Sequence, residues 1–92
     1  MLETFETVAK AIADPNRVRI LKLLEGGELC VCQITTVLNL AAGTISKHLG
    51  VLEAAGYVEV VKGFVGKRPR TWLALTPAGR AAFESYAAVL PA

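Results

Sequence analysis

Two cysteines separated by one residue, Cys30 and Cys32, have the most distinctive chemistry in this sequence. Deprotonated thiols bind soft ions, among them trivalent arsenic, antimony, cadmium and lead. This spacing places two side chains about 200° apart on a regular helix, but on one face of an extended segment. The pair can therefore hold one ligand only where the backbone is extended or a helix start is distorted. Spacing alone leaves equally open that one cysteine is an ordinary core residue and the other its neighbour.

The residues that follow the cysteines predict two helices joined by a short turn. Apolar residues recur at helical spacing on both sides of segment 39–43, which is too short for anything but a turn. They are Val31, Ile34 and Leu38 before the turn, and Ile45, Leu49 and Leu52 after it. We therefore expect helices over about 31–39 and 42–55. Together they form a helix-turn-helix over about 30–55, whose second helix, the recognition helix, enters the DNA major groove.

The recognition helix carries small polar and cationic side chains away from its apolar stripe. Such groups reach base edges and phosphates when they lie near the first turns of the helix. The candidate DNA contacts are Ala42, Thr44, Ser46, Lys47 and His48. The alternative is an ordinary solvated helix face. For His48, the single histidine, a hydrogen bond between helices is the alternative to a phosphate contact.

The segment after the recognition helix predicts a β-hairpin with a basic end, over about 57–75. Two stretches rich in β-forming residues, 57–62 and 70–75, flank a loop over 63–69 that contains two glycines and a proline. Four cations and no acid lie within and beside that loop, which is the charge pattern of a phosphate-binding surface. Its DNA-contact candidates are Lys67, Arg68 and Arg70. A helix-turn-helix followed by a basic hairpin indicates a winged helix, with the hairpin as its wing.

Apolar stripes predict three further helices, over about 2–13, 15–25 and 77–90. Asp14 and Thr76 each precede a proline, the order expected for a capping residue and the first helical position. The predicted fold is mainly α with a small β-hairpin, a winged helix-turn-helix of order α-α-α-α-β-β-α. A length of 92 residues corresponds to a single domain, which a dimer interface would stabilise.

Composition excludes several functional classes. The sequence has no apolar run approaching the ~20 residues of a membrane span, and its start lacks the features of a signal peptide. We therefore expect a cytoplasmic protein with reduced thiols. No nucleophile–base pair, acid pair in an apolar setting or phosphate-binding glycine loop is present, so we predict that the protein is not an enzyme.

Three stretches together resemble the ArsR-type (ArsR/SmtB) family of winged-helix repressors. They are AIADPNRVRIL at 11–21, ELCVCQI at 28–34 and TISKHL at 44–49, and the similarity spans nearly the whole chain. The resemblance implies a homodimer built from the helices over 2–13 and 77–90. It also implies binding to double-stranded operator DNA and release from that DNA when an inducer binds.

The resemblance further suggests the inducer. In arsenic-responsive members, cysteines matching Cys30 and Cys32 hold trivalent arsenic together with a third cysteine, whose position is Thr35 in this chain. We predict no permanently bound cofactor, and an inducer that is trivalent arsenic, inorganic or methylated, or antimony, held by the two thiols. The alternatives are a redox-responsive regulator, a regulator without a metal ligand, and a protein-interaction module that does not bind DNA.

Overall fold

A computed structural model describes residues 11–89 of the chain. Residues 11 and 12 are helical, and the rest of the helix predicted over 2–13 lies outside the described residues. The predicted order of helices and strands is confirmed over the described residues, with one added strand, and the helices over 15–24, 31–38, 42–54 and 77–89 begin and end within one residue of their predictions. The elements are α1 (Pro15–Leu24), β1 (Leu29–Cys30), α2 (Val31–Leu38), α3 (Ala42–Ala54), β2 (Val58–Val65), β3 (Arg68–Leu75) and α4 (Pro77–Val89).

Helix α1 begins at the predicted capping residue. The Asp14 carboxylate accepts a hydrogen bond of 2.7 Å from the Asn16 backbone N–H, and Pro15 occupies the first turn. That hydrogen bond is the main reason why the pKa of Asp14 is lowered, with smaller contributions from the charges of His48 and Arg17. The start of α1 is thus fixed by a local interaction that the sequence predicts.

The added strand, β1, places Cys30 at the edge of a three-stranded sheet. It pairs antiparallel with β3, so that Leu29 lies opposite Leu73 and Cys30 lies opposite Trp72. The strand order is β1-β3-β2. Two residues are too few to show the alternation that predicts a strand. The pairing connects the first cysteine directly to the central strand of the wing.

The hairpin is longer than predicted, and the loop expected over 63–69 is wrong. Strands β2 and β3 pair along their full length, which leaves only Gly66 and Lys67 in the turn. Gly66 has φ 63° at the first turn position, as type II′ turns require. Pro69 lies opposite Phe64, in the second residue pair from the turn. Because alternate pairs of an antiparallel ladder exchange no hydrogen bonds, proline is tolerated there.

The core lies between the helices and one face of the sheet. Its largest fully buried side chains come from α1, α2, α3 and β3: Ile20, Leu21, Leu24, Ile34, Ile45, Leu52 and Leu73. Helix α4 packs closely through Gly79, where a Cβ atom would overlap the Tyr57 carbonyl. Among residues 11–89, no helix is long and apolar enough to cross a membrane.

Candidate functional site

The two cysteine sulfurs meet at the junction between β1 and α2. Cys30 is the N-cap residue of α2 and has an extended backbone, whereas Cys32 lies within the first helical turn. This change of backbone conformation brings the two Sγ atoms to 2.8 Å from each other. Both are free thiols. The structure therefore has the non-helical start that two cysteines at this spacing need in order to share a ligand.

A capping box fixes this junction. The Cys30 sulfur accepts a hydrogen bond of 3.4 Å from the Cys32 backbone N–H, and the Cys30 N–H donates to Gln33 Oε1 at 2.8 Å. Cysteine here takes the position that serine or threonine usually holds in this motif. Cys30 is only 5% exposed whereas Cys32 is exposed, so a ligand would first meet Cys32.

The two thiols differ in acidity. The hydrogen bond from the Cys32 thiol lowers the pKa of Cys30, aided by the Cys32 N–H and the positive charge of Arg70, although burial opposes the shift. The same hydrogen bond raises the pKa of Cys32, because its proton is held between the two sulfurs. The pair therefore loses its first proton from Cys30. The thiolate is the metal-binding form of cysteine, and Cys30 is the thiol of this pair whose ionised form is favoured.

Thr35, at the position of the third cysteine, has its hydroxyl engaged within the helix. Thr35 Oγ1 donates a hydrogen bond of 2.9 Å to the Val31 carbonyl. Within the part of the chain that the structure describes, no group of three His, Cys, Asp or Glu side chains is placed to hold a metal ion. The sulfurs thus provide two ligands for a soft ion.

An open cavity of about 530 Å³, here called the thiol cleft, lies beside the sulfurs. It is bounded by the start of α2, the middle of α3 and the hairpin. Its lining includes Cys30, Cys32, Leu49, Gly50, Val60, Pro69 and Arg70. Ser46, a predicted DNA contact, also borders it. The cleft therefore lies between the thiols and both elements predicted to bind DNA.

The exposed side of α3 carries four of the five predicted recognition-helix contacts. Ala42, Thr44, Ser46 and Lys47 are exposed, while the apolar stripe of the same helix is buried. The helix begins at Ala41, which makes no side-chain capping hydrogen bond. Its first backbone N–H groups consequently lack a side-chain acceptor.

His48 is a correction, because the prediction that it lies on the outward face of the recognition helix is wrong. The side chain is 8% exposed, and its Nδ1 lies 3.3 Å from the Arg17 guanidinium of α1. The structure instead has the alternative, a hydrogen bond between helices. With His48 buried, that side chain supports the position of α3 against α1 and is not placed to contact DNA.

The wing carries its predicted cations in exposed positions. Lys67 lies in the turn, and Arg68 and Arg70 lie in β3 two residues apart, so these arginines share a face of the hairpin. Phe64 is 71% exposed near the same end, a feature that the sequence analysis missed. Alternation along a longer strand would have shown that Phe64 continues the core-facing side of β2 beyond the core.

Comparison with known proteins identifies the winged-helix fold and relatives that are transcriptional regulators. Residues 17–92 match the family model described as a winged helix DNA-binding domain. A 65-residue stretch is 46% identical to an uncharacterised HTH-type transcriptional regulator of Methanocaldococcus jannaschii. That match covers 66% of this chain and 73% of the relative.

Two further matches concern regulators of the ArsR type. The arsenic resistance transcriptional regulator of Pseudomonas putida is 46% identical over 50 residues, which cover 53% of this chain and 39% of that protein. A crystal structure of an ArsR family transcriptional regulator superposes with a TM-score of 0.73 at 27% identity. It covers 92% of this chain, and the match includes 89% of that structure.

Proposed function

We propose that this chain, which belongs to the winged helix DNA-binding family and is an ArsR-type transcriptional regulator, represses transcription until a trivalent arsenical binds Cys30 and Cys32. The observation that carries the proposal is the pair of free sulfurs 2.8 Å apart at the start of α2. The named function of the Pseudomonas putida relative supports arsenic as the signal.

DNA binding is assigned to two exposed surfaces. Ala42, Thr44, Ser46 and Lys47 of α3 enter the major groove, where the small and polar groups contact base edges and the lysine contacts phosphate. The wing cations Lys67, Arg68 and Arg70 contact the backbone on the adjacent groove. The segments 2–13 and 77–90, both predicted to be helical, are proposed to form a homodimer interface, which sets the two recognition helices about 34 Å apart, as successive major grooves require.

Ligand binding changes the junction that positions α3. Each thiol transfers its proton to a hydroxide that leaves arsenic as water, and an arsenic–sulfur bond replaces the arsenic–oxygen bond. The hydrogen bond between the sulfurs is lost with those protons, and the bonded Cys30 sulfur becomes a weaker acceptor for the Cys32 N–H. Helices α2 and α3 both pack against α1 and share one hydrophobic core, so a change at the start of α2 alters the spacing of the recognition helices and lowers DNA affinity.

The test is a titration of the purified full chain bound to DNA from upstream of its own gene, followed by fluorescence anisotropy. We expect arsenite or methylarsonous acid to release the wild-type protein. A Cys30→Ser/Cys32→Ser variant should bind the same DNA with unchanged affinity and remain bound. Release of that variant at the wild-type concentration would disprove the thiol site, and release by peroxide alone would favour the redox alternative.

A salt titration tests the DNA surfaces separately. The logarithm of the binding constant should fall linearly with the logarithm of salt concentration, and Lys47→Ala or Arg68→Ala should each reduce the slope by about 1. Lys22→Ala is the matched control, since this exposed lysine lies in α1. DNA affinity that does not depend on salt would favour the protein-interaction alternative.

A further inference from the structure

We infer that Phe64 and Pro69, a pair near the end of the wing here called the apolar wedge, insert between two stacked base pairs in the minor groove and kink the bound DNA. The inference rests on the proposed function, and adds to it a means of DNA recognition that uses no hydrogen bond to a base. Three observations lead to it: the exposure of the pair, the side of the hairpin on which it lies, and the charge around it.

The apolar wedge consists of two neighbouring side chains that face solvent. Phe64 is 71% exposed, and Pro69, its partner across the hairpin, is exposed as well. Directly opposite residues of an antiparallel pair have Cβ atoms about 4.5–5.5 Å apart, so the two rings are adjacent on one face. Single exposed apolar side chains are ordinary, so it is the pairing of the two that indicates a contact surface.

The apolar wedge lies on the same side of the hairpin as the recognition helix. Alternation along β3 places Pro69 on the face of Leu73, which is fully buried in the core. Pro69 also borders the thiol cleft, together with Ser46 and Leu49 of α3. A duplex that receives the exposed side of α3 in its major groove therefore has the apolar wedge beside it. Because major and minor grooves alternate along DNA, the groove next to α3 is a minor groove.

The charge around the apolar wedge favours a nucleic acid as its partner. Segment 62–70 contains no acidic residue. Its exposed cations are Lys62, Lys67, Arg68 and Arg70. Phosphates complement these charges, whereas a second copy of the chain at this surface would bring the same positive charge and be repelled.

A wing that enters a minor groove has to widen it. The groove is about 6 Å wide, and two paired strands are already about 4.8 Å apart without their side chains. Apolar side chains such as Phe and Pro open the groove when they insert between base pairs, which unstacks one step and kinks the duplex by about 20–90°. Unstacking costs least at pyrimidine–purine steps. The apolar wedge therefore favours operators with such a step beside the site read by α3.

Three substitutions in β2 isolate the contribution of the aromatic ring. Phe64→Ala removes it, and Phe64→Leu replaces it with another side chain that can act as a wedge. Val65→Ala is the matched control, because Val65 is the next residue, is 50% exposed and faces the other side of the hairpin. None of the three changes a charge, and thermal unfolding measured alongside verifies that each variant is folded.

The experiment uses the full chain and a short duplex from upstream of its own gene, chosen as the segment that the wild-type protein protects from DNase I. Energy transfer between dyes on the two duplex ends measures bending. 2-Aminopurine placed at successive positions of the protected segment reports unstacking, because its fluorescence rises when it leaves the stack. Affinity is measured by anisotropy over a range of salt concentrations.

We expect the wild-type chain to bend the duplex and to raise 2-aminopurine emission at a step beside the α3 site. Phe64→Ala should lose both signals and bind about tenfold more weakly, the effect of removing one base–aromatic stack. Its salt dependence should equal that of wild type, because no cation is removed. Phe64→Leu should retain most of the bend, and Val65→Ala should behave as wild type.

A straight duplex in the wild-type complex, or a bend that Phe64→Ala retains, would overturn the inference. Salt-dependent binding to the same DNA would then leave the proposed function intact. Sedimentation of the DNA-free proteins tests the other occupant, since weaker self-association of Phe64→Ala with unchanged bending would assign the pair to a protein interface instead. Failure of the wild-type chain to bind DNA at all would overturn both the inference and the proposed function.

Discussion

The two helices of the helix-turn-helix begin in opposite ways. Helix α2 starts with a complete capping box, in which the Cys30 sulfur and the Gln33 side chain each accept a backbone hydrogen bond. Helix α3 starts at Ala41 with no side-chain acceptor, and its first three residues, 42–44, are exposed. The helix proposed to sense the ligand, α2, is therefore capped by side chains at its start. The helix proposed to recognise DNA, α3, is not.

The difference follows from what each helix start is proposed to bind. At α2, the capping atom is also the ligand atom, so ligand binding must change the interactions that hold the first turn. At α3, free N–H groups and the positive end of the helix dipole are available to a DNA phosphate. An intramolecular cap would compete with that phosphate. The contrast can be tested by changing each start separately.

The largest effect is expected from giving α2 a third sulfur. Thr35→Cys places a thiol one helical turn after Cys32, on the same side of the helix. It should raise the affinity for inorganic arsenite at least about tenfold, or ~1.4 kcal/mol, since all three arsenic–oxygen positions can then be exchanged. Calorimetric titration with arsenite in dithiothreitol measures the change.

Val37→Cys is the matched control for the added sulfur. Val37 is 63% exposed and lies in the same helix, about 140° around its axis from Cys32. It adds an equal thiol that cannot complete the site. If Val37→Cys strengthened arsenite binding as much as Thr35→Cys, the gain would not come from a three-sulfur site at the start of α2.

A smaller effect is expected from opening the capping box of α2. Gln33→Ala removes the acceptor of the Cys30 N–H and should cost about 1 kcal/mol of unfolding free energy. For a domain of this size the melting temperature should then fall by roughly 4–8 °C. Gln33→Glu keeps an acceptor in place and should retain most of the stability, which thermal unfolding can establish. Equal losses in both variants would mean that the hydrogen bond is not the cause.

A smaller effect again is expected from closing the start of α3. Ala41→Ser supplies the missing cap and should add roughly 0.5–1 kcal/mol to the free energy of unfolding, measured in urea. The same variant should bind DNA no more tightly than wild type. Its serine hydroxyl would already accept the backbone hydrogen bond that wild-type α3 leaves open to a DNA phosphate. Ala42→Ser adds the same hydroxyl one residue later, outside the capping position, and should leave stability unchanged. Stronger DNA binding by Ala41→Ser would show that a loose helix start limits recognition.

The smallest effect concerns the ionised cap of α1. The pKa of Asp14 is lowered in the folded chain, mainly by its hydrogen bond from the Asn16 N–H. Its contribution to stability is therefore full above the ordinary Asp pKa and is lost as the pH falls through the lower, folded-state pKa. Asp14→Asn keeps a capping oxygen but removes the titration. Urea unfolding between neutral and acid pH should show a shallower acid loss in that variant than in wild type.

Local signals account for what could be predicted from the sequence. Capping residues, prolines and apolar spacing placed α1 to α4 within one residue, because each signal acts within one or two turns. The exposure of Ala42, Thr44, Ser46 and Lys47 on α3 followed from the same periodicity, and the wing cations followed from a local cluster of positive charge. The class of regulator follows from three short stretches that resemble ArsR-type regulators, at 11–21, 28–34 and 44–49.

What could not be predicted depends on contacts distant in the chain. Strand β1 has two residues and exists only because β3 offers a free edge opposite Leu29 and Cys30. The buried His48 side chain is hydrogen-bonded to Arg17, which is 31 residues away in the sequence. Spacing alone did not show whether the two cysteine side chains lie close enough to share a ligand. That depends on the change from extended backbone at Cys30 to helix at Val31.

The pairing of β1 with β3 places a fluorescent side chain, Trp72, beside the proposed ligand site. Trp72, the single tryptophan, lies opposite Cys30 in that pairing, where facing Cα atoms are about 4.5–5.5 Å apart. An arsenic atom bound to that cysteine would be a heavy atom close to the indole ring, and heavy atoms quench fluorescence. The unlabelled wild-type protein thus carries an emission signal at its sensing end. Rapid mixing can time that signal against departure from fluorescent DNA, and so establish which event comes first.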